Sequence, residues 1–97
     1  MLRHIVLIKL DPQKRAEALS AIVPALNELP SKIKEIRGYD VGVDSKRGAN
    51  SADISLISEF DDASALQRYI EHPDHRRVVD ELIKPNLSQI ISVDYET

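Results

Sequence analysis

Four stretches of the chain are rich in β-branched and aliphatic residues with the period-two spacing typical of β-strands. The predicted strands are residues 2–10, 36–43, 53–60 and 89–95. In the first of them, His4, Val6 and Ile8 share one face, while Ile5 and Leu7 share the other. Both faces of this strand therefore carry apolar side chains.

Apolar residues recur at three- and four-residue steps between the first two strands, which predicts an amphipathic helix. Asp11 and Pro12 supply an N-cap and a first-turn proline, so the helix is predicted over residues 12–28. Pro24 lies inside this helix and removes one main-chain hydrogen bond, so a kink or an early end is expected, with Pro30 opening a separate turn.

A proline also divides the helical region between the third and fourth strands. One predicted helix ends near Glu71, and the next runs from Pro73 to about Lys84, because proline is tolerated at the first position of a helix but disrupts its interior. Tyr69 falls on the apolar face of the first helix, and His75 falls on the apolar face of the second. Both side chains are therefore expected to point inward at this corner.

The order strand, helix, strand, strand, helix pair, strand is typical of a ferredoxin-like α+β fold, in which a four-stranded antiparallel sheet carries its helices on one face. Residues 1–97 are expected to form a single domain. Because Ile5, Leu7 and Ile57 lie on strand faces away from the helices, a second sheet is expected to cover them. An identical chain is the simplest source of that sheet, which predicts a homodimer.

Net charge limits the class of partner, and cysteine content indicates the cellular compartment. The 97 residues carry a formal net charge of −3, with both signs spread along the chain, which argues against a nucleic-acid or membrane surface and favours a small-molecule or protein partner. Cysteine is absent, which excludes disulfides and fits a reducing compartment, so the cytoplasm is the expected location. The N-terminal apolar run is interrupted by Arg3, His4 and Lys9 and is too short for a signal peptide or a membrane span.

Four motifs along the chain are also found in a known family. They are Arg3–Leu7, Ser58–Asp61, Tyr69 with His72–His75, and Val93–Tyr95. Through them the chain resembles the stress-responsive A/B barrel domain family, or Dabb, over nearly its whole length. The resemblance implies a dimeric α/β barrel of ferredoxin-like protomers, in agreement with the apolar residues on both strand faces. Most members of the family have no assigned reaction.

The resemblance also implies candidate catalytic residues. One branch similar to this chain, a plant polyketide cyclase of the kind that makes olivetolic acid, closes a ring with a Tyr and a His in this helical corner and a His on the first strand. Those positions fall on Tyr69, His75 and His4. The branch uses neither metal nor cofactor, so none is expected here.

The residues at the corner allow two interpretations. A buried imidazole at His75 can remove a proton next to a carbonyl while Tyr69 hydrogen-bonds the developing enolate oxygen, and His4 can orient the carbonyl. Alternatively, Tyr69 and His75 hydrogen-bond each other or a water and fix the corner, and His4 is a satisfied core histidine. His72 precedes Pro73 and is expected to be a cap or a surface residue, so the His72 and His75 pair does not indicate a zinc site.

Two functions follow from these interpretations. The first is a binding or stress-protective module that holds a small hydrophobic or carbonyl-containing ligand between sheet and helices. The alternative is a cofactor-free, polyketide cyclase-like enzyme, which is disfavoured because one Phe and no Trp leave little to line a large aromatic pocket. A cavity that reaches Tyr69 and His75 is the feature expected of a ligand site.

Overall fold

The structure is a computed structural model that describes every residue from Met1 to Thr97. Its strands are β1 (Leu2–Leu10), β2 (Gly38–Val43), β3 (Ile54–Phe60) and β4 (Leu87–Glu96). Its helices are α1 (Arg15–Lys32), α2 (Ala63–Glu71) and α3 (Pro73–Val78), followed by a π-helical turn (Val79–Ile83) and a 3₁₀ turn (Lys84–Asn86). None of the helices combines the length and the apolar composition needed to cross a membrane.

The four strands form one antiparallel sheet in the order β2-β3-β1-β4. The helices pack on one face, which we call the inner face, and the buried residues of sheet and helices form a single apolar core. This confirms the predicted ferredoxin-like α+β fold. The register places His4, Val6 and Ile8 of β1 on the inner face beside Ser58, Leu56 and Ile54 of β3.

Helix α1 differs from its prediction at both ends. It runs from Arg15 to Lys32 and continues through Pro24 and Pro30, so the predicted end near residue 28 and the separate turn at Pro30 are wrong, and of the two outcomes expected at Pro24 the early end does not occur. Both prolines lie on the exposed side, where a carbonyl that loses its helical partner can bind water instead. At the N-terminus, the Asp11 side chain accepts from the Gln13 N–H and forms a turn that precedes the helix.

The predicted break between the second and third helices is confirmed. His72 ends α2 and also caps α3, because its Nδ1 accepts from the Asp74 N–H at 3.1 Å. Pro73 is then the first residue of α3, where its missing N–H costs no hydrogen bond. The predicted helix from Pro73 to Lys84 is not uniform, since its second half is a π-helical turn that begins at Val79.

The outer face of the sheet has no helix over it. Leu7 of β1 is 40% exposed, and Ile91, Val93 and Tyr95 of β4 are 59%, 55% and 41% exposed. Leu7 pairs with Ile91 and Ile5 pairs with Val93, so these side chains form one continuous apolar stripe across β1 and β4. As predicted, the helices cover one apolar face of the sheet and leave the other exposed in the protomer.

Candidate functional site

A cavity of about 290 Å³ lies between the inner face of the sheet and the corner formed by α2, α3 and the π-helical turn. His4, Tyr69 and His75, the three residues singled out from the sequence, all contribute to its lining. Most of the remaining wall is aliphatic, and the π-helical turn supplies both Val79 and Ile83. The feature expected of a ligand site is therefore found at the expected corner.

His75 is held by the end of α2. Its Nδ1 lies 3.1 Å from the carbonyl oxygen of Ile70, which can only accept, so Nδ1 carries the proton and Nε2 has a free lone pair. Burial lowers the pKa of His75 and the nearby His4 lowers it further, although the Ile70 carbonyl and Asp80 act in the opposite direction. His75 is therefore a neutral hydrogen-bond acceptor at pH 7.

Tyr69 is completely buried and faces three aromatic side chains. Its ring centroid lies 4.3 Å from that of His75 and 5.0 Å from that of Phe60. Its hydroxyl lies 2.9 Å from the hydroxyl of Tyr39 on β2. The Tyr69 and His75 rings thus touch at an interplanar angle of 47° and do not hydrogen-bond each other, so that part of the structural interpretation is wrong.

The hydroxyls of Tyr39 and Tyr69 do not ionise readily. Burial raises the pKa of Tyr39 to about 12 and raises the pKa of Tyr69 still more strongly, so both hydroxyls stay protonated. The Tyr69 side chain is fully buried and its hydroxyl already pairs with Tyr39, so that hydroxyl is not directly available to a ligand. In this arrangement Tyr69 supports the His75 ring and does not itself present a polar group to the cavity.

His4 projects from β1 on the inner face and is paired with Asp94, its cross-strand neighbour on β4. The His4 side chain is only 12% exposed, and its Nδ1 contacts the Asp94 carboxylate. Because a carboxylate can only accept, Nδ1–H of His4 donates to Asp94, which leaves Nε2 of His4 as the free ring atom. Asp94 therefore orients His4, just as the Ile70 carbonyl orients His75.

Two supporting residues were missed from the sequence. Tyr39 shares the inner face with other apolar residues of β2, and nothing in that pattern predicts a pair with Tyr69, 30 residues later. Asp94 belongs to the Val93–Tyr95 motif, but its pairing with His4 depends on the register of β1 and β4. His72, by contrast, is a helix cap, one of the two roles expected from the sequence. No group of three or more His, Asp or Glu side chains is arranged to hold a metal ion.

The hydrogen bond between Tyr39 and Tyr69 predicts that replacing either tyrosine with Phe lowers the free energy of unfolding, but by unequal amounts. Tyr39→Phe leaves the fully buried Tyr69 hydroxyl without a partner, so the free energy of unfolding should fall by about 1–3 kcal/mol. Tyr69→Phe leaves the hydroxyl of Tyr39, which is only partly buried and can turn to water, so the loss should be smaller. Urea unfolding at a fixed protein concentration measures both.

The double variant is the control for this prediction. Because it removes both hydroxyls, its cost should be smaller than the sum of the two single costs. Equal single costs that add in the double variant would show that the two hydroxyls do not interact.

The sequence is similar to a known protein family and to a bacterial relative. The family model of the stress-responsive A/B barrel domain matches residues 2–97. An uncharacterized protein of Streptomyces coelicolor is 37% identical over 78 residues, which cover 78% of this chain and 80% of that protein. The resemblance inferred from the four motifs is therefore supported along the chain.

Two solved structures are similar throughout. A dimeric protein of unknown function and ferredoxin-like fold from Bacteroides fragilis is 30% identical, with a TM-score of 0.90 and coverage of 99% of this chain and 95% of that one. A dimeric ferredoxin-like protein of unknown function from Thermobifida fusca is 27% identical, with a TM-score of 0.88 and coverage of 99% and 90%. This chain belongs to the stress-responsive A/B barrel domain family, Dabb.

Proposed function

We propose that this protein is a homodimer in which each protomer binds a small, largely apolar molecule between its sheet and its helices. The observation that carries the proposal is the cavity of about 290 Å³ that reaches both His4 and His75. Aliphatic walls favour a hydrocarbon body, and a few convergent polar groups in such a cavity fix the orientation of a ligand.

The two histidines favour a carbonyl compound among apolar ligands. Nε2 of neutral His75 accepts a proton or a hydrogen bond, because Nδ1 is used by Ile70. His4, when protonated beside Asp94, can donate from Nε2 to a carbonyl oxygen. A ligand with a carbonyl group and an acidic hydrogen next to it uses both groups.

The same pair supports the second candidate, a cofactor-free enzyme similar to a polyketide cyclase. His75 would take a proton from the carbon next to the carbonyl, the electron pair of that C–H bond would move to the oxygen, and His4 would stabilise the resulting enolate. Tyr69 would keep the His75 ring in place through the contact between the two rings, since its own hydroxyl is paired with Tyr39. Of the three residues proposed from the sequence, His75 and His4 thus remain the catalytic candidates, and Tyr69 becomes a positioning residue.

The homodimer is supported by the uncovered outer face. Apolar side chains of Leu7, Ile91 and Val93 form one stripe there, and burial of such a patch against a second sheet is favourable. The structures from Bacteroides fragilis and Thermobifida fusca are both of dimeric proteins. A second copy of this chain is therefore the partner that we propose for this face.

The ligand proposal predicts a response that depends on His75. A thermal-shift screen of small aryl ketones, with 4-fluoroacetophenone as the reference compound, should give compounds that raise the melting temperature of the wild type. His75→Gln removes the imidazole ring and its basic Nε2 from the cavity wall and should abolish the shift. His72→Gln is the matched control, because His72 caps α3 and does not line the cavity, and it should keep the shift.

Equal shifts in all three proteins would contradict a site at His75. Exchange of the methyl hydrogens of 4-fluoroacetophenone in D2O, followed by NMR, then distinguishes the two functions. A binding module leaves exchange at the buffer rate, whereas an enzyme that forms an enolate accelerates it and loses this effect in His75→Gln.

The proposed homodimer predicts the mass of the protein in solution. Light scattering at micromolar concentration should give twice the chain mass of 10.9 kDa. Leu7→Glu should give a monomer, because a carboxylate buried in an apolar interface costs several kcal/mol unless it is paired. Ala21→Glu adds the same charge at an exposed site of α1 and should leave the dimer intact, and a monomeric wild type would contradict the proposal.

A further inference from the structure

Strand β4 belongs both to the cavity and to the outer face. It is an edge strand that pairs only with β1. Ile90 and Ser92 lie on its inner side and line the cavity, while Val93 and Tyr95 lie on its outer side. All but the first residue of β4 are exposed, so one side of the cavity wall has little packing of its own.

One residue of β4 borders both surfaces, with its side chain on the outer face and its main chain towards the cavity. Ile91 is paired with Leu7 on the outer face, and it borders a depression of the outer face lined by Leu7 and Gln89 as well as the inner cavity. It is also 59% exposed, more than the other large apolar side chains of the protomer. A molecule that covers the outer face therefore touches part of the cavity wall.

A second observation connects β4 to the site independently. The carboxylate that orients His4 belongs to Asp94, which lies on β4 between Val93 and Tyr95 of the outer face. Movement of this edge strand would displace Asp94 from His4. The position of one of the two polar groups of the site thus depends on how firmly β4 is held.

We propose that the second copy of the chain completes the binding site, so that ligand binding and dimerisation are linked. This inference rests on the proposed function and adds that neither event is independent of the other. Packing of the partner sheet on Ile91 and Val93 holds β4 against β1, which closes the cavity wall and fixes Asp94 beside His4. The monomer has the same residues with a looser wall, so it binds ligand more weakly.

Linkage makes the effect reciprocal. If dimerisation strengthens binding at each site by about tenfold, then filling both sites strengthens dimerisation by about a hundredfold, because the two routes to the filled dimer have the same total free energy. Ligand affinity and dimer dissociation can therefore be measured separately and compared.

The test uses 4-fluoroacetophenone as the probe and its ¹⁹F NMR signal as the readout. Wild type and Ala21→Glu should bind it at concentrations where they are dimers. Leu7→Glu, which retains His4, His75 and Asp94, should bind at least tenfold more weakly while its circular dichroism shows a folded chain. Saturating probe should also lower the dimer dissociation constant of the wild type in sedimentation experiments, which requires no variant.

Each outcome decides between distinct claims. Equal affinity in Leu7→Glu and wild type, or a dissociation constant unchanged by the probe, overturns the linkage and leaves the proposed function standing. Failure of the wild-type dimer to bind the probe overturns the proposed ligand class and this inference with it. A Leu7→Glu chain that does not fold leaves the sedimentation result on the wild type to decide.

Discussion

The sheet carries apolar side chains on both faces, and the chain has helices for only one of them. On the inner face, α1 and the α2–α3 corner bury the core, and the helices leave a cavity where the break at Pro73 turns the chain. On the outer face, the stripe around Leu7 and Ile91 stays exposed in the protomer. Cavity and uncovered face share β4, so the two features that suggest function arise from the same imbalance between sheet and helices.

The polar groups at the cavity are each fixed by a partner behind them. Asp94 holds His4 and the Ile70 carbonyl holds His75, while Tyr39 occupies the hydroxyl of Tyr69. Buried polar groups normally have such partners, so these contacts by themselves fit a structural corner. What distinguishes a site is that the two imidazoles keep their Nε2 atoms unused beside an open, mostly aliphatic space. That combination supports binding of a carbonyl compound more than it supports a purely structural role.

Much of the fold could be predicted from the sequence because its signals are local. The period of two in the strands and the proline break at Pro73 are examples, and the inward direction of Tyr69 and His75 follows from helix periodicity. The continuation of α1 through Pro24 could not be predicted, because packing of its buried face outweighs one lost hydrogen bond. Nor could the Tyr39–Tyr69 pair, since contacts between distant elements depend on how the helices sit on the sheet.

The state of the His75 ring tests the account most directly, because a neutral acceptor at this position is what the cavity offers to a ligand. Nitrogen-15 NMR, with the signal assigned through His75→Gln, should show the proton on Nδ1 and a pKa below the ordinary value of about 6.5. A lowered pKa means that neutral His75 stabilises the fold at pH values above 6.5, and that this stability is lost as the pH falls through the folded-state pKa. A proton on Nε2, or a pKa at or above the ordinary value, would contradict the account.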